Sequence, residues 1–376
     1  MPRAMLEDAD GTLALLRDSV AQFAEQHGGA RRLRAKRDRG DDLDSALWVE
    51  MARAGWTGLL LPEEFDGAGL TMREQAVVSE SLGLGLIAEP VAHLAVFSNT
   101  LIGDAAASVE RQRLAYEIAH GRVIASPAWR DPSTGQPGAP VTADLRGGAF
   151  VLNGTKHYVD AARAATDFLV TAATADGALL LSVPAHAAGV SVATRPGIDG
   201  AGIAAVTFSG CHVEAARLLS RSKTADALLR KPTLRARLAL AAELAGVGCG
   251  ALEQTVAYTK SRVQFGKPIA SFQSIQHRLV EMWIDAELAC AAVARAVERL
   301  CVVDDREAHL AVLAAKARAG EAALSICRRA VHLHGAMGFT DECDIGRYLK
   351  RAINLNAALG QPEQLRLQFI ELERAA

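Results

Sequence analysis

Few residues in this 376-residue chain have types and spacings that could do chemistry. Six cysteines, Cys211, Cys249, Cys290, Cys301, Cys327 and Cys343, could bind a metal or attack a substrate, but no two form a CxxC. Thiols scattered in this way are expected as small buried hydrophobes in a reducing, cytoplasmic compartment. His332 and His334 have a His-x-His spacing without nearby carboxylate or thiolate partners, so no metal site is expected. Gly197-Ile198-Asp199-Gly200-Ala201-Gly202 is Gly-rich, yet it lies between expected strands and opens no helix, the reverse of a βαβ dinucleotide fold. GxSxG, Walker A and HExxH patterns are absent. The basic stretch from Arg31 to Arg39 is offset by Asp38, Asp41, Asp42 and Asp44 and reads as a solvated helix face or connector.

Composition narrows the class further. The chain is 50% hydrophobic and 22% charged, with a formal net charge of −2. That balance suits a soluble globular protein of two or three domains whose core needs no staples. It gives no support to nucleic-acid or anionic-membrane binding, which normally shows as a basic excess. The start, Met1 to Asp8, lacks an apolar h-region, so no signal peptide is expected. The Ala-rich runs are broken by charge well before the length of a bilayer span.

Three periodicities set the elements that must position any site. Residues 1–120 read as a helical domain, with Leu13, Leu16, Val20 and Phe23 at helical spacing, then Leu43, Leu47, Trp48, Met51 and Ala54 ended by Gly55. Thr71 with Glu74 makes a capping box that opens a further helix. Residues 121–225 alternate short apolar runs with turn signals, Asn153-Gly154 being the strongest hairpin signal and Pro132 to Pro140 a loop. A small antiparallel β-barrel or sandwich is expected there. Residues 226–376 read as a four-helix bundle. Its first helix should run from Thr233 to about Phe265, with Gly266 at C′. Ser271 should cap the second, and Asp304 or Asp305 the third, which Gly335 stops. Pro362 opens the last. The small-residue run Ala241 to Gly250 costs helix propensity, so close packing against another helix or a flat ligand should compensate.

Residue chemistry alone stops at a helical, β and bundle protein without an obvious nucleophile. Two bundle segments then resemble the acyl-CoA dehydrogenase family: Arg262-Val263-Gln264-Phe265-Gly266-Lys267-Pro268 followed by Ser271-Phe272-Gln273, and His334-Gly335-Ala336-Met337-Gly338-Phe339-Thr340. Pro62 to Leu70 and Leu152-Asn153-Gly154-Thr155-Lys156 are similar to family segments as well. The order of helical domain, barrel and bundle matches the family along the whole chain. The resemblance implies FAD bound between subunits, an acyl-CoA substrate, α,β-dehydrogenation and electron-transfer flavoprotein as acceptor. It also implies that Arg262, Gln264, Phe265 and Gln273, with the loop His332, Gly335 and Ala336, hold the pyrophosphate and adenosine half of an FAD seated in the neighbouring subunit. A guanidinium suits phosphate oxygens, and a glycine lets the backbone approach a cofactor.

The chain departs from the family where the chemistry is most demanding. An α-C–H beside a thioester needs a carboxylate base while hydride leaves the β-carbon. The family's usual Glu position corresponds to Leu359, and the alternative one, on the first bundle helix, to Ala236. The family's Thr-Glu-Pro-Gly-type loop and Trp-Ile-Thr-type strand, which hold the flavin ring, correspond to Trp129-Arg130-Asp131-Pro132 and Tyr158-Val159-Asp160. Asp160 would then bring a carboxylate near a flavin that becomes anionic on reduction. The half-site serving a neighbour's FAD reads as intact and the chain's own as eroded. This resembles the base-less subunit of two-component family members that act on bulky acyl-CoAs, such as those of steroid side chains or dicarboxylic acids. Two other readings stay open: a self-sufficient homo-oligomeric enzyme whose base has moved to Glu243, Glu363 or Asp160, and a flavin-free structural or acyl-CoA-binding homologue.

Overall fold

The computed structural model describes residues 1–27, 29–302 and 305–374. The chain forms two compact units, Met1–Arg34 with Thr71–Ala88 and Arg237–Ala376, and Ala35–Leu70 with Glu89–Ala236. Its helices begin with α1 (Thr12–His27), α2 (Gly29–Arg39), α3 (Ser45–Arg53) and α4 (Met72–Leu84). A π-helical segment, Ala92–Phe97, runs into α5 (Ser98–Gly103), and α6 (Val109–Ala119) follows. Strands β1 (Ala125–Ala128), β2 (Thr142–Arg146), β3 (Ala149–Asp160), β4 (Asp167–Thr174), β5 (Gly177–Pro184), β6 (Val190–Pro196), β7 (Gly202–Glu214) and β8 (Leu218–Ser222) come next. The remainder is α7 (Ala225–Ser261), a hairpin of β9 (Val263–Gln264) and β10 (Lys267–Pro268), α8 (Gln273–Val302), α9 (Arg306–His334), α10 (Ile345–Ala357) and α11 (Pro362–Arg374).

The expected closed barrel is not formed. The sheet runs β6-β7-β3-β2-β4-β5-β8, with β1 beside β4, and its edge strands β6 and β8 do not pair. Nor is it wholly antiparallel, since β1 runs parallel to β4 and β2 meets β4 in parallel at Thr142–Ala173 alone. That single join lets the halves fold toward one another without closing, and Phe150, Leu152, Phe168, Val170, Val206 and Phe208 from both halves share one core. Asn153-Gly154, expected as a hairpin turn, lies inside β3 at a register shift against β7. Gly154 is required there because a Cβ would meet the Pro140 carbonyl oxygen at 2.5 Å. The β2–β3 turn falls instead at Gly147-Gly148, where both residues take positive φ.

In the other unit the capping box at Thr71–Glu74 is present and opens α4. The small-residue run of α7 packs on that helix. A Cβ on Gly246 would sit 1.9 Å from the Glu80 carbonyl oxygen, and one on Gly83 2.2 Å from that of Glu243. Helix α7 starts eight residues before the expected Thr233, carrying Pro232 within it, and ends at Ser261 rather than near Phe265. Gly266 turns the β9–β10 hairpin instead of capping α7. Ser271 does not cap α8, because its hydroxyl donates to the Pro268 carbonyl. Asp305 caps α9, whose end is Gly335, while Asp304 lies outside the described residues. Helix α9 packs against α8, α10 and α11, and Pro362 opens α11 as expected. No described helix is long and apolar enough to cross a membrane.

Candidate functional site

The end of α7 and the end of α9 are brought together by one stack. The Tyr258 ring lies 4.2 Å from that of His334, nearly parallel, and its hydroxyl donates to the His334 carbonyl. One turn beyond Tyr258, Arg262 is exposed, and its side chain has no partner among the described residues. The hairpin that follows lifts Phe265 into solvent: it is 91% exposed, with φ of 53° beside Gly266 at 78°. The Phe265 ring meets Phe272 edge-on at 6.1 Å, and Gln273 opens α8 with its side chain exposed. Gln264 is exposed and donates to the Val263 carbonyl, so it contributes nothing distinctive here. At the end of α9, His332, Gly335 and Ala336 are exposed, and Gly335 (φ 62°) has nothing within reach of a Cβ. His334, by contrast, is buried, with Nδ1 bonded to the Ala330 carbonyl, and burial pushes its pKa down. An unspent forked cation, an uncovered aromatic ring and an open glycine form a surface suited to a phosphate-bearing planar ligand.

The two positions that the resemblance aligns with a base are buried and apolar. Ala236 is fully buried, and Leu359 is 3% exposed in a left-handed conformation, φ 54°. Two cations hold the Leu359 loop by its carbonyls. Arg237 Nε donates to Leu359 O at 2.9 Å, and Lys316 Nζ to Asn356 O and Gly360 O at 3.3 and 3.5 Å. Lys316 is fully buried; that burial, with the charge of Arg237, brings its amine down to about 7. Sequence reasoning missed this lysine, since a charge within an Ala-rich helix, with Arg318 and Glu321 close by, reads as part of a solvated face. Of the alternative bases, Glu243 is buried and clamped by the Arg351 guanidinium at 2.8 and 2.5 Å. Glu363 is exposed in the first turn of α11.

In the sheet-bearing unit, Asp131 accepts from the buried Lys156 Nζ at 2.6 Å, tying the loop after β1 to β3. Lys156, too, escaped notice as anything but a motif residue. Its amine also donates to Trp129 O and Thr171 Oγ1, and burial lowers its pKa. Arg130 lies over the Trp129 ring at 4.9 Å and the Tyr158 ring at 5.6 Å. Asp160 Oδ2 is 3.5 Å from His93 Nδ1, so its carboxylate is not isolated.

Comparison with known proteins decides among the chemistries. Residues 12–121 match the model of the acyl-CoA dehydrogenase N-terminal domain, and residues 226–371 that of the C-terminal domain. The chain is 32% identical over 356 residues to the acyl-CoA dehydrogenase IpdE2 of Mycolicibacterium smegmatis, covering 94% of this chain and 96% of that one. The chain belongs to the acyl-CoA dehydrogenase family. Its members are FAD-dependent oxidoreductases acting on CH–CH bonds. Among solved structures, the ChsE4-ChsE5 complex of Mycobacterium tuberculosis matches with a TM-score of 0.88 at 26% identity, over 98% of each chain. The Tcur3481-Tcur3483 steroid acyl-CoA dehydrogenase variant matches with a TM-score of 0.85 at 28% identity, over 96% of this chain and 98% of that one. Within this family the exposed Arg262, Phe265, Gln273 and Gly335 fit the phosphate and adenosine half of FAD: donors without acceptors, and an aromatic face without cover.

Proposed function

We propose that this chain is the base-less subunit of a heteromeric acyl-CoA dehydrogenase. It lends the outer half of a cofactor cradle to an FAD seated in a homologous, base-bearing chain, where a bulky acyl-CoA is α,β-dehydrogenated. FAD, when bound, accepts the hydride from the β-carbon. In this chain Arg262 would bind pyrophosphate oxygens, Phe265 and Gln273 would cover the adenosine end, and Gly335 would admit close backbone approach. The carrying observation is that Leu359 and Ala236, which the resemblance aligns with the family's base positions, are buried and apolar, while Glu243 is spent on Arg351. Two related structures, the ChsE4-ChsE5 complex and the Tcur3481-Tcur3483 steroid enzyme, are named for pairs of chains, which supports the pairing. The exposed apolar stripe of α8, Val280, Trp283, Ile284 and Leu288, offers such a partner a core-like contact surface. Electron-transfer flavoprotein would reoxidise the assembled enzyme.

The test is turnover with a dye acceptor and a range of acyl-CoAs, for the chain alone and for the chain co-purified with a homologous partner. The chain alone should lose at least the ~10²–10⁴-fold contribution of a positioned base. Arg262→Ala in this chain should weaken FAD retention by the complex, by about 1.5–3 kcal/mol for a lost charge-assisted contact. Robust turnover by the isolated chain would overturn the proposal.

A further inference from the structure

The β unit of this chain holds a cluster that the cross-subunit cradle does not use. Arg130, Trp129, Tyr158, Asp160 and His93 all belong to that one unit. Aligned on Pro132 and on Lys156, the two hydroxyl positions of the flavin-holding motifs become Arg130 and Asp160, and the Trp position becomes Tyr158. The Asp131–Lys156 ion pair joins the two segments and supports that register.

We infer that this chain's own flavin-ring seat is closed by its own side chains: Arg130, packed on Trp129 and Tyr158, and Asp160, turned toward His93, stand where two hydroxyls would face a cofactor. The inference rests on reading the chain as the partner that lends, rather than houses, an FAD site.

Four observations carry it. First, the two substitutions are opposite in charge, and the Asp160 carboxylate favours the Arg130 guanidinium, which burial otherwise disfavours. A charge at either position replaces a neutral hydroxyl, and the two charges are of opposite sign. Second, the guanidinium has no hydrogen-bond acceptor among the described residues, so both aromatic faces hold it. Third, Tyr158 is fastened in place: it takes φ 55° at a register shift in β3, and its hydroxyl accepts from Gln136 Nε2 at 2.8 Å. Fourth, the loop carrying Gln136 is itself pinned, Ser133 N donating to Gln136 Oε1 and Pro137 O lying 2.9 Å from His157 Nε2. Trp129 also stacks on Phe97 at 5.6 Å. The groups that would line a flavin are therefore taken up by neighbouring side chains of their own unit.

The experiment measures FAD per chain, by flavin absorbance after acid release, in the full-length chain alone and in its complex with a base-bearing homologue. The chain alone, incubated with FAD and desalted, should retain none. The complex should be half-stoichiometric, and Arg130→Thr with Asp160→Thr should double its FAD content. Full stoichiometry in either wild-type sample overturns the inference and needs no variant. A complex still half-filled after the double substitution, with an unchanged circular-dichroism spectrum, overturns it too. Arg262→Ala separates the two proposals. If the complex is half-stoichiometric and Arg262→Ala leaves its FAD in place, the cross-subunit reading fails while the closed seat stands.

Discussion

Lys316 offers a sharp test of the loop that bears Leu359. Its amine is fully buried on α9, shared between two backbone carbonyls, and brought from an ordinary 10.5 to about 7 by burial and by Arg237. Below about pH 7 both folded and unfolded chains carry the proton, and the folded state bears the whole cost of a buried charge. Above that, the folded amine is neutral while the unfolded one still binds a proton, so stability rises with pH until the unfolded amine titrates. At about 1.4 kcal/mol per pH unit, the gain between about pH 7 and about pH 9.5 is on the order of 3 kcal/mol. Lys316→Met keeps the length of the side chain and removes the titration. Urea denaturation of both proteins at the two pH values, followed by circular dichroism, isolates the lysine, because the other groups titrate in both. Wild type should gain on the variant by roughly that amount as pH rises. Parallel pH dependence of the two proteins would refute the reasoning.

Three further outcomes follow from packing and pairing. Gly246→Ala should lower the thermal midpoint even though helix propensity favours alanine by about 1 kcal/mol, because the methyl would lie 1.9 Å from the Glu80 carbonyl oxygen. A raised midpoint would refute the close contact of α4 and α7. Arg351→Ala should cost about 3–5 kcal/mol by removing the guanidinium that clamps the buried Glu243 carboxylate, and the double variant with Glu243→Gln should recover much of it in the same melts. Additive losses would show that the pair is not coupled. Phe265→Ala should leave the melting curve within about 0.5 kcal/mol of wild type, since the ring is 91% exposed, yet speed FAD loss from the assembled enzyme on gel filtration. Unchanged FAD retention would remove Phe265 from the cradle.

Periodicity and caps made the helices legible: the Thr71–Glu74 box, the Asp305 cap, the Gly335 stop and the Pro362 start all lie where local chemistry puts them. The small-residue run of α7 was legible too, since a cost in propensity must be met by contact, and α4 supplies it. Long-range pairing was not. Asn153-Gly154 and Gly147-Gly148 both permit a tight turn, and only the partner strands decide which becomes the turn and which the bulge. Closure of the sheet depends on whether β6 meets β8, which nothing within either strand specifies. The end of α7 was misread because Gly266 serves a hairpin turn as well as it would serve a cap. Arg262, Phe265, Gln273 and Gly335 were legible only as family wording. The structure adds that each is exposed, and that Gly335 also ends α9.

Lys316 and Arg130 show what a sequence hides most thoroughly, because a charge gives no local sign of being buried. They also separate two kinds of change. At Leu359 and Ala236 an apolar side chain fills a buried position, which folding favours without help from any other residue. Such losses can accumulate one at a time once a partner supplies the base. Arg130 and Asp160 are a different case, since the charge at 160 favours the half-buried guanidinium at 130 that burial disfavours. Yet the loop that would present the base is still held by Lys316 and Arg237 through the carbonyls of residues 356, 359 and 360. Those bonds reach the backbone and not the side chain at 359, so they are indifferent to whether it is a carboxylate. The clamp therefore serves the joint between α10 and α11, and its survival beside Leu359 says nothing for a hidden base. That is why the proposal of a closed seat rests on Arg130 and Asp160 in the β unit, and not on the absence of a carboxylate at 359 and 236.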